Sequence, residues 1–239
     1  MVIKISILIA SVLQVLAAVL LSIGTFQTGD RPFPVFIQPS GWAFSIWGLI
    51  YTLSFIYAVY QLIPRNDNAT LRATRVPALV GFLSSIAWLY LAGTNDWQLW
   101  LTAPVLFIMA LVFIRVVTAP EGKSVITTLL SKQILFPYAA WTGIAAWLNV
   151  QTLLVEQSLV VSDASNVVSN LFLFACVAVF TLYFFRRSGY SLWYGGVLVW
   201  ASIGVIDANL NDGSMIFVVL ASLLLATVVL ASIKKELFT

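Results

Sequence analysis

Apolar residues gather in long runs along this chain, parted by short polar breaks. A bilayer core about 30 Å thick takes roughly 20 apolar residues in an α-helix. Eight runs approach that length: residues 5–24, 42–63, 76–92, 97–118, 126–155, 167–185, 192–206 with its flanks, and 215–233. The breaks carry turn chemistry. Pro64 and the polar stretch 65–75 end the second run, Gly93-Thr94-Asn95-Asp96 parts the third from the fourth, and Arg186-Arg187-Ser188-Gly189 closes the sixth. The fifth run is long enough to tilt or to protrude. The pattern predicts an all-α, polytopic membrane helix bundle of about eight transmembrane helices, with no soluble domain of any size.

Composition narrows the class. Of 239 residues, 61% are hydrophobic and 9% charged, against about 25% charged in an ordinary soluble domain, so lipid must solvate much of the surface. Charge placement gives an orientation. With the amino terminus in the cytoplasm and eight alternating spans, eleven of the twelve bases fall on the cytoplasmic side and Arg31 alone falls outside. Both termini are therefore expected inside, and the first run is read as a retained span rather than a signal peptide. The net charge of +3 is small and spread over short loops, which argues against a nucleic-acid partner. There is no histidine, and Cys176 has no second cysteine to pair with. Phosphate loops, zinc spacings, nucleophile elbows and paired intramembrane carboxylates are all missing from the sequence, so it indicates no enzyme class and no metal site. The sequon Asn68-Ala69-Thr70 falls on the cytoplasmic side and is read as chance.

Two features stand out. Residues 25–40 hold Phe26, Phe33 and Phe36 among Pro32, Pro34 and Pro39, too apolar for a free linker and too rich in proline for a helix. Such a segment is expected to lie on the outer membrane face or to fold over a pocket mouth. The nine tryptophans are the second feature. Trp97 and Trp100 sit where interfacial anchors belong. Trp47, Tyr51 and Phe44 would share a face of the second helix, and Trp88, Trp141 and Trp147 lie deep in the third and fifth runs. Buried rings serve packing or ligand binding alike. Indole N–H groups in lipid need acceptors in either case.

The second run reads Pro39-Ser40-Gly41-Trp42-Ala43-Phe44, then Trp47 and Tyr51. The fifth reads Pro137-Tyr138-Ala139-Ala140-Trp141, then Ala145-Ala146-Trp147-Leu148-Asn149. In these motifs, and over roughly residues 5–157, the chain resembles the tryptophan-rich sensory protein or translocator protein family (TspO/MBR), a five-helix membrane fold. Ser85 stands before Trp88 where that family usually has asparagine, and Ser40 replaces a second proline. The resemblance implies a TspO-like bundle at 1–157, followed by three further helices at 158–239 whose role it does not imply.

It also implies a pocket between helices, open toward the first loop, for a flat apolar ligand such as a porphyrin or a sterol, serving sensing, regulation or transport. Trp42, Phe44, Trp47, Tyr51, Ser85, Trp88, Tyr138, Trp141 and Asn149 are its expected contacts. Rings from the second, third and fifth helices would meet there beneath the proline-rich segment. Arg31 is either the donor for a ligand carboxylate or a solvated loop charge. Gln14, Asn149 and Gln151 are explained by hydrogen bonds between helices as well as by a ligand. Asn166 and Asn170 share a face, Gly195-Gly196 would admit a close helix neighbour, and the run from Asp207 to Asp212 reads as a polar span end rather than a cation site. No cofactor is required, although a tetrapyrrole, lipid or sterol could be retained. Two other functions stay open: an accessory subunit of a larger membrane complex, and a small-molecule transporter. The partners foreseen are the bilayer, an apolar ligand, and a second copy or a larger complex. The membrane expected is the bacterial inner membrane, with an organellar one as the alternative.

Overall fold

The computed structural model of the chain describes residues 1–21, 32–93, 100–212 and 214–238. Arg31, Phe26 and Trp97 lie outside them. Among the described residues nine α-helices follow in order: α1 Val2–Leu21, α2 Ile46–Tyr60, α3 Ala69–Ala92, α4 Thr102–Val117, α5 Val125–Ser131, α6 Phe136–Glu156, α7 Asp163–Arg187, α8 Leu192–Asp212 and α9 Met215–Phe238. The described residues contain no strand, as the runs predicted. Among the described residues five segments meet length and hydropathy requirements for crossing a membrane: α1, Gly41–Tyr60, α3, α7 and Met215–Lys234. Large apolar side chains such as Val19, Phe172, Val179 and Leu230 stand exposed on these helices, as lipid-facing positions should.

Two of the expected boundaries move. The fifth run, 126–155, is not one helix. Lys132 takes φ −147°, ψ −47°, which ends α5, and a 3-10 turn at Gln133–Leu135 leads into α6 with Pro137 in its first turn. Proline is tolerated there because the first helical N–H groups have no intrahelical acceptor. The Lys132 ammonium is buried at this break; it donates to the Ala119 carbonyl at 2.7 Å and pairs with Glu121 at 2.6 Å. The third run also starts earlier than its apolar core. Asn68 caps α3 by accepting from the Leu71 N–H at 2.9 Å, which gives the residue of the sequon a structural role.

The chain divides into two compact units, and neither is one continuous stretch: residues 1–26 with 46–142, and residues 27–45 with 143–239. In the first unit α3 packs against both α1 and α4, and α2 against α1. Gly81 of α3 faces the Phe113 ring of α4 so closely that a Cβ there would collide with it. Polar clasps join the helices. The Tyr57 and Thr74 hydroxyls lie 2.9 Å apart, and Gln61 donates to the Lys4 carbonyl at 2.8 Å. At the same end Asp67 receives Arg75 at 2.5 Å, Arg72 at 2.9 Å and Lys4 at 3.9 Å. Hydrogen bonding from Arg75 is the main reason that the Asp67 carboxyl is held below its usual pKa.

The second unit is built on the later part of α6 with α7, α8 and α9. Its core gathers Ile37, Leu148, Leu173 and Phe217, with Phe36 stacked on Phe217 at 4.9 Å. Ser162 and Ser165 form a reciprocal capping box at the start of α7, and Arg186 and Arg187 occupy its last turn, where the helix dipole favours cations. The Cβ missing from Gly195 would meet the Phe185 ring at 2.8 Å, so this glycine does admit a close neighbour. Gly196 faces open space.

Candidate functional site

An aromatic cluster occupies the interior of the first unit. Trp47 of α2 stacks on Tyr51, one turn later, at 5.4 Å, and on Trp88 of α3 at 5.7 Å; it meets Tyr138 of α6 edge-on at 5.8 Å. Tyr138 is stacked in turn on Phe113 at 4.2 Å and Phe82 at 5.8 Å. The hydroxyls of Tyr51 and Ser85 are 3.4 Å apart, and Tyr138 donates to the Gln14 side-chain carbonyl at 3.0 Å. Trp47, Tyr51, Ser85, Trp88, Tyr138 and Trp141 are all buried. Trp47, Tyr51, Ser85, Trp88 and Tyr138 therefore meet in one place, and Trp141 is buried in the same unit.

They meet as a packed cluster. The stacks on Trp47 sit at 5.4 and 5.7 Å, within the centroid spacing that offset aromatic pairs prefer, and Phe113 approaches Tyr138 more closely still, so the rings fill the space they enclose. A flat ligand would have to part the Trp47 and Trp88 planes by about the thickness of one ring. Two donors within the cluster have no acceptor among the described residues: the Trp47 indole N–H and the side-chain amide of Gln14. A buried polar group without a partner costs about 1–3 kcal/mol, so an acceptor brought by a ligand would meet two groups already dehydrated.

Trp42, Phe44 and Asn149 belong to the second unit. Phe44 lies in a 3-10 turn, Gly41–Ser45, instead of extending the α-helical face of Trp47 and Tyr51. Trp42 is 42% exposed, donates to the Asp207 carboxylate at 2.9 Å and packs edge-on against Trp200 at 4.9 Å. The Asn149 amide donates to Ala145 in its own helix at 3.0 Å.

The described part of the proline-rich segment, residues 32–40, and the 3-10 turn Gly41–Ser45 that follows it together form a strap held by α7 and α8. Asn166 donates to the Pro34 carbonyl at 3.0 Å, and Asn170 accepts from the Ile37 N–H at 3.3 Å. Asn209 donates to the Phe36 carbonyl at 2.8 Å, Gly204 accepts from the Ser40 N–H at 3.0 Å, and Trp200 donates to the Ala43 carbonyl at 2.8 Å. The Asn166 and Asn170 pair, visible in sequence as one helical face, is thus a docking rail. Asp207 and Asn209 serve the same strap. Among the described residues no group of three or more histidine, cysteine or acidic side chains could hold a metal.

The second unit also holds a narrow cleft beneath the strap residue Ile37. Ile144 and Leu148 of α6, Val177 and Thr181 of α7, and Ala201 and Ser202 of α8 are among its walls. Nothing in the hydrophobic pattern singles these positions out from ordinary core.

A family model described as TSPO-like protein matches residues 1–233, which takes in α7, α8 and most of α9 as well as the earlier helices. No curated protein and no solved structure matches the chain.

Proposed function

We propose a function from this premise: the chain belongs to the TSPO-like protein family. It is an integral membrane protein that binds a flat, apolar ligand of the tetrapyrrole or sterol class in the aromatic cluster of its first unit, for sensing, regulation or transport. The proposed setting is the bacterial inner membrane, with an organellar membrane as the alternative, and the distribution of bases supports an orientation with both termini cytoplasmic. One observation supports the reading above the rest. The Trp47 N–H and the Gln14 amide lie buried and unpartnered among four stacked rings, where a core built for packing alone would pair them or replace them. A tetrapyrrole offers a π-face to Trp47 and Trp88 and acceptor atoms to the two donors.

Protoporphyrin added to the purified chain in nanodiscs should quench tryptophan fluorescence with a saturable profile. Trp47→Phe keeps a ring and removes the donor. A neutral hydrogen bond contributes about 0.5–1.5 kcal/mol, so affinity should fall by roughly two- to tenfold. Trp88→Ala, which removes a stacking surface, should weaken binding further. Quenching that rises linearly with porphyrin, or that is equal in all three proteins, would reject the reading.

A further inference from the structure

We propose that the cleft of the second unit is a separate ligand site, one that takes a single acyl chain with its carbonyl oxygen against Ser202. The site shares no residue with the aromatic cluster, since every residue lining it belongs to residues 27–45 or 143–239. Its walls are hydrocarbon except for two hydroxyls, Thr181 and Ser202. Thr181 donates to the Val177 carbonyl one turn back at 2.7 Å. Ser54, Thr142, Ser222 and Ser232 satisfy their hydroxyls in the same way within their own helices. Ser202 departs from this habit. It is 3% exposed, and its Oγ has no hydrogen-bond partner among the described residues. A buried O–H group midway along α8 is left in the wall of a largely apolar slot.

Shape and chemistry narrow the occupant. The space open to the centre of a water-sized sphere is about 30 Å³. That is a slot too thin for a tetrapyrrole or a sterol. Water would fit by size, but an ordered water typically makes about three hydrogen bonds, and this lining offers two partners, Ser202 and the spare lone pair of Thr181. The half-buried members of the lining are Phe174 of α7 and Leu224 of α9, two apolar side chains that reach the surface. The slot thus meets the surface along a lipid-facing edge. A methylene chain satisfies such walls, and one acceptor oxygen at its head satisfies Ser202.

The test uses the full chain in nanodiscs with a palmitic acid that carries a mid-chain diazirine, photolysed and mapped by peptide mass spectrometry. Labelling of peptides containing Val177 and Leu198 should saturate with probe. Unlabelled palmitic acid should compete, and hexadecane, which has no carbonyl, should compete several-fold less well. Ala201→Leu, which fills the slot, should abolish the saturable labelling. Ser202→Ala should narrow the gap between palmitic acid and hexadecane to less than twofold, and being smaller than the native residue it keeps the test decisive if Ala201→Leu does not fold. Linear labelling confined to exposed positions such as Phe172 and Leu223, or a Ser202→Ala profile identical to the native one, would overturn the proposal. Trp47→Phe should leave all of these readouts unchanged, which separates this site from the porphyrin reading.

Discussion

The strap depends on a missing side chain, and replacing Gly204 with alanine tests that dependence. A Cβ at Gly204 would lie 2.8 Å from the Pro39 Cβ and 2.9 Å from the Ala43 Cβ. Carbon atoms in good contact sit about 3.5–4.0 Å apart. Both neighbours are Cβ atoms fixed to the backbone, so no side-chain rotation can relieve the overlap. The strap itself must move. Overpacking of this kind costs about 1–3 kcal/mol. Weakening the bond from the Ser40 N–H to the Gly204 carbonyl adds about 0.5–1.5 kcal/mol. The helical preference of alanine over glycine offsets about 0.5–1 kcal/mol. The net loss of strap docking is about 0.5–4 kcal/mol, so amide hydrogen exchange over residues 32–45 should accelerate by between roughly twofold and a thousandfold. Gly196→Ala is the matched control: it lies in the same helix with nothing within 4 Å of the new Cβ. It should leave strap exchange unchanged and raise thermal stability slightly. Equal exchange in Gly204→Ala and the native chain, or equal acceleration in both variants, would refute the steric account.

Two further outcomes follow from the first unit. Asp67→Asn should lower the melting temperature at neutral pH by releasing Arg75, Arg72 and Lys4. The Asp67 carboxyl is held below its usual pKa, so its contribution is complete above about pH 4 and disappears as pH falls through the depressed value; melting curves of the two proteins should converge in acid. Phe113→Ala removes a fully buried ring stacked on Tyr138 and should cost about 3–5 kcal/mol in chemical unfolding. Because that ring is what a Cβ at Gly81 would strike, Gly81→Ala should be strongly destabilising in the native chain and nearly neutral beside Phe113→Ala.

What the sequence makes legible is what lipid dictates. Eight apolar runs are visible, and among the described residues eight long helices occupy them, five lying in segments long and apolar enough to cross a membrane. The break in the fifth run was hidden because thirty residues of nearly unbroken hydrophobicity also suit one tilted helix. Lys132 was the available sign, and its burial against Glu121 and the Ala119 carbonyl is the reason the helix yields there. The convergence of Trp47, Tyr51, Trp88 and Tyr138 could be anticipated from motif spacing and family resemblance. Their packing against each other could not, since ring-to-ring distances depend on helix crossings that periodicity does not encode. Prolines announced a covering segment, but its anchors lie 132 to 173 residues away in the chain. The cleft left no trace in the pattern, for its walls are the same leucines, isoleucines and valines that fill any core.

Those long separations also set an order of events at the ribosome. Trp42 waits for Asp207, 165 residues further on, before it can form its hydrogen bond. At about 5–20 residues per second, that delay is roughly ten to thirty seconds. During it the prolines and phenylalanines of the early loop stand at the membrane surface without α7 or α8 to receive them. A nascent chain halted before α7 would present this greasy loop unsheltered, a mark by which membrane quality control could tell the unfinished molecule from the finished one.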